Sequence, residues 1–131
     1  MKEIKFDALR MQASFCDGVY SLNISIASGF ADFVVTIPLS RPDFEVIEKD
    51  IERAAFLQAA LHEPFQLRAT ALDEVELRRY LDVILHGSKL CVEDFLTKKD
   101  HDVANGAISN MVRITCGREQ SLMRQGKWFS K

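Results

Sequence analysis

Hydrophobic and polar residues alternate from Val19 to Ala27, and this is the clearest pattern in the chain. The positions on one side of the alternation are all apolar: Tyr20, Leu22, Ile24 and Ile26. A period of two is typical of a strand with one buried face. Asp17-Gly18 stands before this segment and favours a two-residue hairpin, and Ser28-Gly29 after it gives a weaker form of the same signal. The pattern therefore predicts an antiparallel meander of three strands.

Two-residue loops at both turns would fix the register of the meander. The predicted facing pairs are Phe15 with Tyr20, Ala13 with Leu22, Met11 with Ile24, Phe33 with Ile24, Val35 with Leu22, and Ile37 with Tyr20. In this register the apolar residues of all three strands share one face, whereas a slip of one residue would separate them. The opposite face carries mostly short hydroxyl and amide side chains, which indicates a surface open to water.

The two ends of the meander carry weaker signals. Pro38 has no N–H for a ladder, so the third strand should end near it or lie at an edge of the sheet. Ile4 and Phe6 are out of phase with Leu9. This predicts either a bulge near Asp7 or a separate first strand over residues 2–6, which would make the sheet four-stranded.

The second half of the chain has the periodicity and the caps of helices. Ser40 and Asp43 are spaced as a reciprocal capping pair, and an apolar stripe predicts one helix from there to Pro64. Its stripe consists of Phe44, Ile47, Ile51, Ala54, Ala55 and Gln58. Because no charge occurs from Ala54 to His62, that part of the helix should be enclosed on all sides.

Further helices are predicted after this one. Thr70 repeats the capping pattern with Asp73 and opens a helix that ends at His86-Gly87, with its inward positions at Leu77, Leu81, Ile84 and Leu85. A short helix is predicted over 88–97 and a last one over 102–115, stopped by Gly117. Together these elements predict an α+β fold in a single domain over residues 1–131. A three- or four-stranded meander comes first, and three to four helices pack on one of its faces.

Length and composition agree with a globular domain that needs no metal or disulfide to fold. The chain has 131 residues, 47% of them hydrophobic and 27% charged. Met1 to Lys5 lacks the apolar core of a signal peptide, and no apolar run could span a bilayer, so a cytoplasmic location is predicted. Cys16, Cys91 and Cys116 have no metal-ligand or CxxC spacing, which indicates reduced thiols, no metal site and no cofactor.

No motif in the chain names a reaction. His62 and His86 are the obvious acid–base candidates, but each falls at the end of a helix, where the helix dipole favours an imidazolium. Cys91 follows His86 by five residues, and a catalytic pair would depend on folded geometry. A small enzyme with a His/Cys site between sheet and helices therefore stays open as an alternative. A second alternative is a homo-oligomeric scaffold that uses an open sheet edge.

The charge is unevenly distributed and indicates a basic protein partner. The formal net charge is −2, but residues 41–86 alone carry −4 and residues 87–131 carry +3. An acidic surface suits a basic protein and repels nucleic acid. The predicted partner-binding residues are the acids of the first two helices: Asp43, Glu45, Glu48, Asp50, Glu52, Asp73, Glu74 and Glu76.

The segment Leu39 to Phe65 (LSRPDFEVIEKDIERAAFLQAALHEPF) resembles the small cytoplasmic immunity proteins of bacterial contact-dependent and other polymorphic toxin systems. It covers about a fifth of the chain. The resemblance implies that the protein neutralises a cognate toxin, often a nuclease, by tight binding at or beside its active site. Nuclease toxins are usually basic because they hold phosphates, which fits the acidic middle of this chain.

Overall fold

The computed structural model describes residues 1–27 and 32–130, and it has the predicted α+β architecture. Four strands form one antiparallel sheet in sequential order. They are β1 (Lys2–Phe6), β2 (Met11–Cys16), β3 (Val19–Ala27) and β4 (Asp32–Leu39). Of the two predictions for the start of the chain, the separate first strand is confirmed, and a 3₁₀ turn over Asp7–Leu9 accounts for the change of phase.

The register is confirmed on one side of β3 and wrong on the other. Phe15 faces Tyr20, as predicted, and Asp17 and Gly18 have φ angles of 53° and 79°, which suit the two-residue turn between β2 and β3. On the other side, Val35 faces Ile24 and Ile37 faces Leu22, two positions away from the prediction. Because side chains alternate with a period of two, this shift leaves every apolar residue on the predicted face. The turn predicted at Ser28-Gly29 lies outside the described residues.

A break at Asp50 divides the first predicted helix into α1 (Arg41–Lys49) and α2 (Ile51–Phe65). Asp50 has φ −126° and ψ 88°, and its carboxylate accepts a hydrogen bond from the N–H of Arg53 at 3.1 Å, so it caps α2. The break changes the phase of the apolar stripe and leaves Ile51 exposed. Pro64 lies inside the last turn of α2 instead of ending the helix.

The core lies between the helical layer and the apolar face of the sheet. Every residue of α2 from Ala54 to His62 is buried, as the absence of charge predicted. Leu22, Ile24 and Ile37 of the sheet belong to the same hydrophobic cluster as the buried residues of α2. The packing of α2 against β3, α3 and α5 makes it the central helix of the molecule.

Six helices follow the sheet in the described residues, more than the three or four predicted. The remaining four are α3 (Glu74–His86), α4 (Lys89–Asp102), α5 (Ala107–Cys116) and α6 (Gln120–Arg124). Asp73, not Thr70, caps α3, with Glu76 N–H donating to its carboxylate at 2.8 Å. Gly106 precedes α5 in a left-handed conformation, and Gly117 ends α5 as predicted.

The C-terminal tail is held by Trp128. Its indole is fully buried, and Nε1 donates to Oγ1 of Thr97 at 2.9 Å. Arg118 donates to the carbonyl of Trp128 at 2.6 Å and also pairs with Glu52 on α2. Phe56 of α2 packs edge-on against the ring of Trp128, and Arg118 links the carbonyl of Trp128 to Glu52, so the tail is connected to the central helix.

Candidate partner-binding surface

Asp43 is the centre of a charged network that joins α1 to α3. Its side chain has no exposed surface. Nη1 and Nη2 of Arg78 each donate to one of its oxygens at 2.7 Å, and Nε2 of His86 donates at 2.7 Å. The N–H of Ser40 donates at 2.8 Å and completes the predicted capping box. All of these donors come from the protein itself, so Asp43 is not available to a partner, and its place in the predicted binding surface is wrong.

Burial and hydrogen bonding shift the pKa of Asp43 in opposite directions. Burial alone would raise the pKa of its carboxyl, because it disfavours the charged form. The hydrogen bonds from Arg78, from the backbone of Ser40 and from His86 outweigh it and hold the pKa of Asp43 well below its usual range. The same contact with Asp43 raises the pKa of Arg78 further above its usual value. Asp43 and Arg78 are therefore both charged at neutral pH, and their pair stabilises the α1–α3 interface.

The candidate catalytic residues have contacts of different kinds. His86 is bound to Asp43 on α1, whereas Nε2 of His62 accepts a hydrogen bond from the N–H of Ala27 in β3 at 3.4 Å. Burial lowers the pKa of His62, which favours the neutral ring. Cys91 is exposed in the first turn of α4. Both histidines thus have structural contacts, and neither of them hydrogen-bonds to Cys91.

Four of the predicted surface acids lie on α1 or at the start of α2 and have partners within the chain. Glu45 pairs with Arg41 at 3.5 Å, and Glu48 pairs with Lys2 of β1. Asp50 caps α2, and Glu52 pairs with Arg118. These pairs neutralise much of the charge that the sequence analysis assigned to a binding surface. Most of the acids in this region therefore form ion pairs or helix caps within the chain.

The acids at the start of α3 differ from those of α1 and α2 in being exposed without a basic partner in the described residues. Glu74 and Glu76 are exposed, and within residues 1–27 and 32–130 neither forms an ion pair. Asp73, which caps the helix, is exposed beside them. Val75 stands between the two glutamates with 80% of its surface exposed. Unpaired carboxylates and an exposed apolar side chain therefore occur together on the first turn of α3.

Two shallow depressions flank this turn. One runs along the outer side of α3 and is lined by Glu74, Val75, Arg78, Arg79, Asp82 and Val83. The other lies between α3 and the end of β4 and is lined largely by Pro38, Leu39, Leu77 and Leu81. Glu74 borders both depressions. Glu74 and Glu76 were among the predicted binding residues, but Val75 was not, because a single apolar residue on the polar side of a helix gives no periodic signal.

A third depression lies on the open face of the sheet. It is lined in part by Lys5, Arg10, Gln12, Asn23 and Ser25, and Asp7 is its only acid. Arg10 also pairs with Asp32 at 2.8 Å. Lys5 and Arg10 are balanced by Asp7 and Asp32, so this surface has no net charge that would attract a basic partner. The turn that opens α3 is the better candidate for one.

Among residues 1–27 and 32–130, no group of three or more His, Cys, Asp or Glu side chains is arranged to hold a metal ion. In the same part of the chain, no helix has the length and hydrophobicity needed to cross a membrane.

The three cysteines are exposed, and their replacement should be tolerated. We expect a variant with serine at Cys16, Cys91 and Cys116 to melt as the parent does, because each exposed substitution changes the free energy of unfolding by no more than about 0.5 kcal/mol. Thermal unfolding followed by circular dichroism measures this. A large loss of stability, or stoichiometric zinc in the purified parent, would contradict the prediction of three structurally unimportant thiols.

Comparison with known proteins gave no further information. No family, no curated protein and no solved structure matched the chain.

Proposed function

We propose that the protein is a protein-binding module and that the turn opening α3 is the centre of its contact with a basic protein partner. The observation that supports this proposal is the position of Glu74 and Glu76 on either side of the exposed Val75. Carboxylates without internal partners can steer a basic protein towards the surface. An exposed apolar side chain between them can be desolvated once the partner has docked, as in the core of many interfaces.

The predicted binding acids of α1 and α2 are less suitable for the proposed contact, because they already have partners within the chain. Glu45, Glu48 and Glu52 already contact Arg41, Lys2 and Arg118, so a partner would have to compete with these bases for them. No such competition exists at Glu74 or Glu76 within the described residues. We therefore assign Glu45, Glu48 and Glu52 to contacts within the chain, and Glu74 and Glu76 to association.

The resemblance of residues 39–65 to immunity proteins suggests the class of partner. On that basis we propose that the partner is a bacterial toxin domain and that binding neutralises it. A nuclease toxin would present a basic surface for phosphates, and this surface would be attracted to α3.

The proposal is tested by identifying the partner and then changing the α3 turn. A pull-down from the native organism, followed by mass spectrometry, supplies the partner. For the variant with Glu74→Lys and Glu76→Lys, we expect the association rate to fall on the order of ten-fold at low salt, because surface charges act mainly on the encounter. Stopped-flow or surface plasmon resonance at several salt concentrations measures this rate.

A matched control carries the same change of charge on another helix. Asp94 and Asp102 are exposed acids of α4, so Asp94→Lys with Asp102→Lys alters the net charge equally. Equal slowing in both double variants would mean that only the total charge matters and would contradict a site on α3. If the partner is a toxin, the α3 variant should also protect cells less well than the control at equal expression. A partner that is not basic would contradict the proposal itself.

A further inference from the structure

The outer edge of β4 presents main-chain N–H and C=O groups that are not hydrogen-bonded to any strand in the described residues. The N–H of Ser25 donates to the carbonyl of Arg10 at 3.0 Å, so the odd-numbered residues of β3 direct their main-chain groups towards β2. The even-numbered residues of β3 therefore bond to β4, where their partners are Phe33, Val35, Ile37 and Leu39. It follows that Val34 and Thr36 direct both N–H and C=O outward, while Pro38 offers an outward carbonyl only.

The two edges of the sheet differ in how they are protected. The edge strand β1 carries Lys2, Glu3 and Lys5, and charges of this kind oppose strand addition. The edge strand β4 has no charged side chain from Phe33 to Leu39. Val34 is 60% exposed on the open face, and Phe33 is 41% exposed on the face that carries the helices. From Phe33 to Leu39 the edge of β4 is thus uncharged, and Phe33 and Val34 expose apolar surface on its two faces, which favours pairing with another strand.

We propose that this edge pairs with the same edge of a second copy of the chain, so that two four-stranded sheets join into one antiparallel sheet of eight strands. The sequence of β4 is self-complementary around Val35. With Val35 facing Val35 of the second copy, Phe33 faces Ile37 and Val34 faces Thr36. Apolar side chains then meet on the helix side of the seam, and no like charges face each other across it.

The main-chain groups also match in this register. Val34 of each copy forms a hydrogen-bonded pair with Thr36 of the other copy, and the two-fold axis relates the two pairs. These pairs use the outward N–H groups of Val34 and Thr36 in both copies. Asp32 faces Pro38, whose carbonyl accepts a hydrogen bond from the N–H of Asp32, while the carbonyl of Asp32 stays with water because proline has no N–H. A two-fold axis perpendicular to the sheet places the helices of both copies on the same side. The contact is isologous and closed, so it ends at a dimer.

The partner is a second copy and not an unrelated strand, because in this register the outward main-chain groups of β4 are hydrogen-bonded by the same groups of the second copy. A strand with a charged residue opposite Val35 would place that charge beside Phe33 and Ile37 of the helix side, where desolvation is unfavourable. The seam is short, so the area it buries lies below that of a standard stable interface. The dimer should therefore form with increasing protein concentration.

Sedimentation velocity over a range of concentrations tests this proposal. We expect the parent to shift from monomer to dimer and Val34→Lys to stay monomeric at every concentration, because the lysines place charge at the seam. The control is Val19→Lys on β3, since Val19 is equally exposed at 62% but does not lie on the outer edge of β4. It should dimerise as the parent does. A melting curve for each protein shows that the fold is intact, and Thr36→Lys serves as a second edge variant.

Amide hydrogen exchange identifies the seam directly. In the parent, the amides of Val34 and Thr36 should exchange at least ten-fold more slowly at high than at low concentration, and this dependence should vanish in Val34→Lys. A parent that remains monomeric throughout would overturn the proposal. So would a Val34→Lys dimer, or assembly into longer polymers, because polymers would require the edge of β4 to pair with β1.

Discussion

Replacement of Leu22 by aspartate should unfold the protein at room temperature. Leu22 lies in the middle of β3 with 0% of its surface exposed, and it belongs to the hydrophobic cluster between the sheet and the helices. A carboxylate there would be desolvated without a base to pair with, and the apolar contacts of the leucine would also be lost. The expected cost is more than about 5 kcal/mol, which is comparable with the whole stability of a typical domain. Circular dichroism and urea unfolding measure the effect.

The neighbouring position provides the control. Asn23 lies on the open face of the sheet, and its Oδ1 accepts a hydrogen bond from Oγ1 of Thr36 at 2.7 Å. Asn23→Asp keeps an acceptor at that place and adds a charge that water can reach, so its melting temperature should stay close to that of the parent. Similar losses of stability for Leu22→Asp and Asn23→Asp would show that the two faces of β3 are not distinct.

Replacement of Asp43 by asparagine should have the second-largest effect. The variant leaves Arg78 and His86 without the carboxylate that binds both of them, and it places an amide N–H₂ among hydrogen-bond donors. Removing one partner of a buried ion pair typically costs about 3–5 kcal/mol. We expect a loss near the lower end, about 3 kcal/mol, because Arg78 and His86 are partly exposed and water can still reach them. Urea unfolding at neutral pH measures the loss.

The pH dependence of this loss is set by the lowered pKa of Asp43. A carboxyl whose pKa is lower in the folded state contributes stability at pH values above its ordinary pKa, which is 3.8 for aspartate. That contribution is lost as the pH falls through the ordinary value towards the folded one. The difference in free energy of unfolding between the parent and Asp43→Asn should therefore shrink as the pH falls below about pH 4.

Glu45→Gln is the matched control for Asp43→Asn. Glu45 is on the same helix, and its pair with Arg41 at 3.5 Å is largely exposed, so the expected change is within about 0.5 kcal/mol. A loss of stability as small for Asp43→Asn, or one that did not shrink below about pH 4, would contradict the assigned role of the network.

The sequence by itself determined the elements whose signals are local. The turn at Asp17-Gly18 needs only two residues with positive φ, and it fixed the pairing of β2 with β3 without any information from the rest of the chain. The capping box of Ser40 and Asp43 was equally visible, because its partners are three residues apart. The enclosure of Ala54 to His62 followed from the absence of charge over two turns of helix.

Only the tertiary structure decided the features that depend on distant residues. The shift of β4 by two positions preserves the apolar face, so periodicity could not distinguish the two registers. The break at Asp50 follows from its capping of α2, which competes locally with a continuous helix and allows α1 and α2 to pack in different directions. Asp43 looked like an exposed acid because its partners Arg78 and His86 are 35 and 43 residues away. Which acids remain for a partner could be determined only once those contacts had formed, since burial and ion pairing are properties of the folded chain.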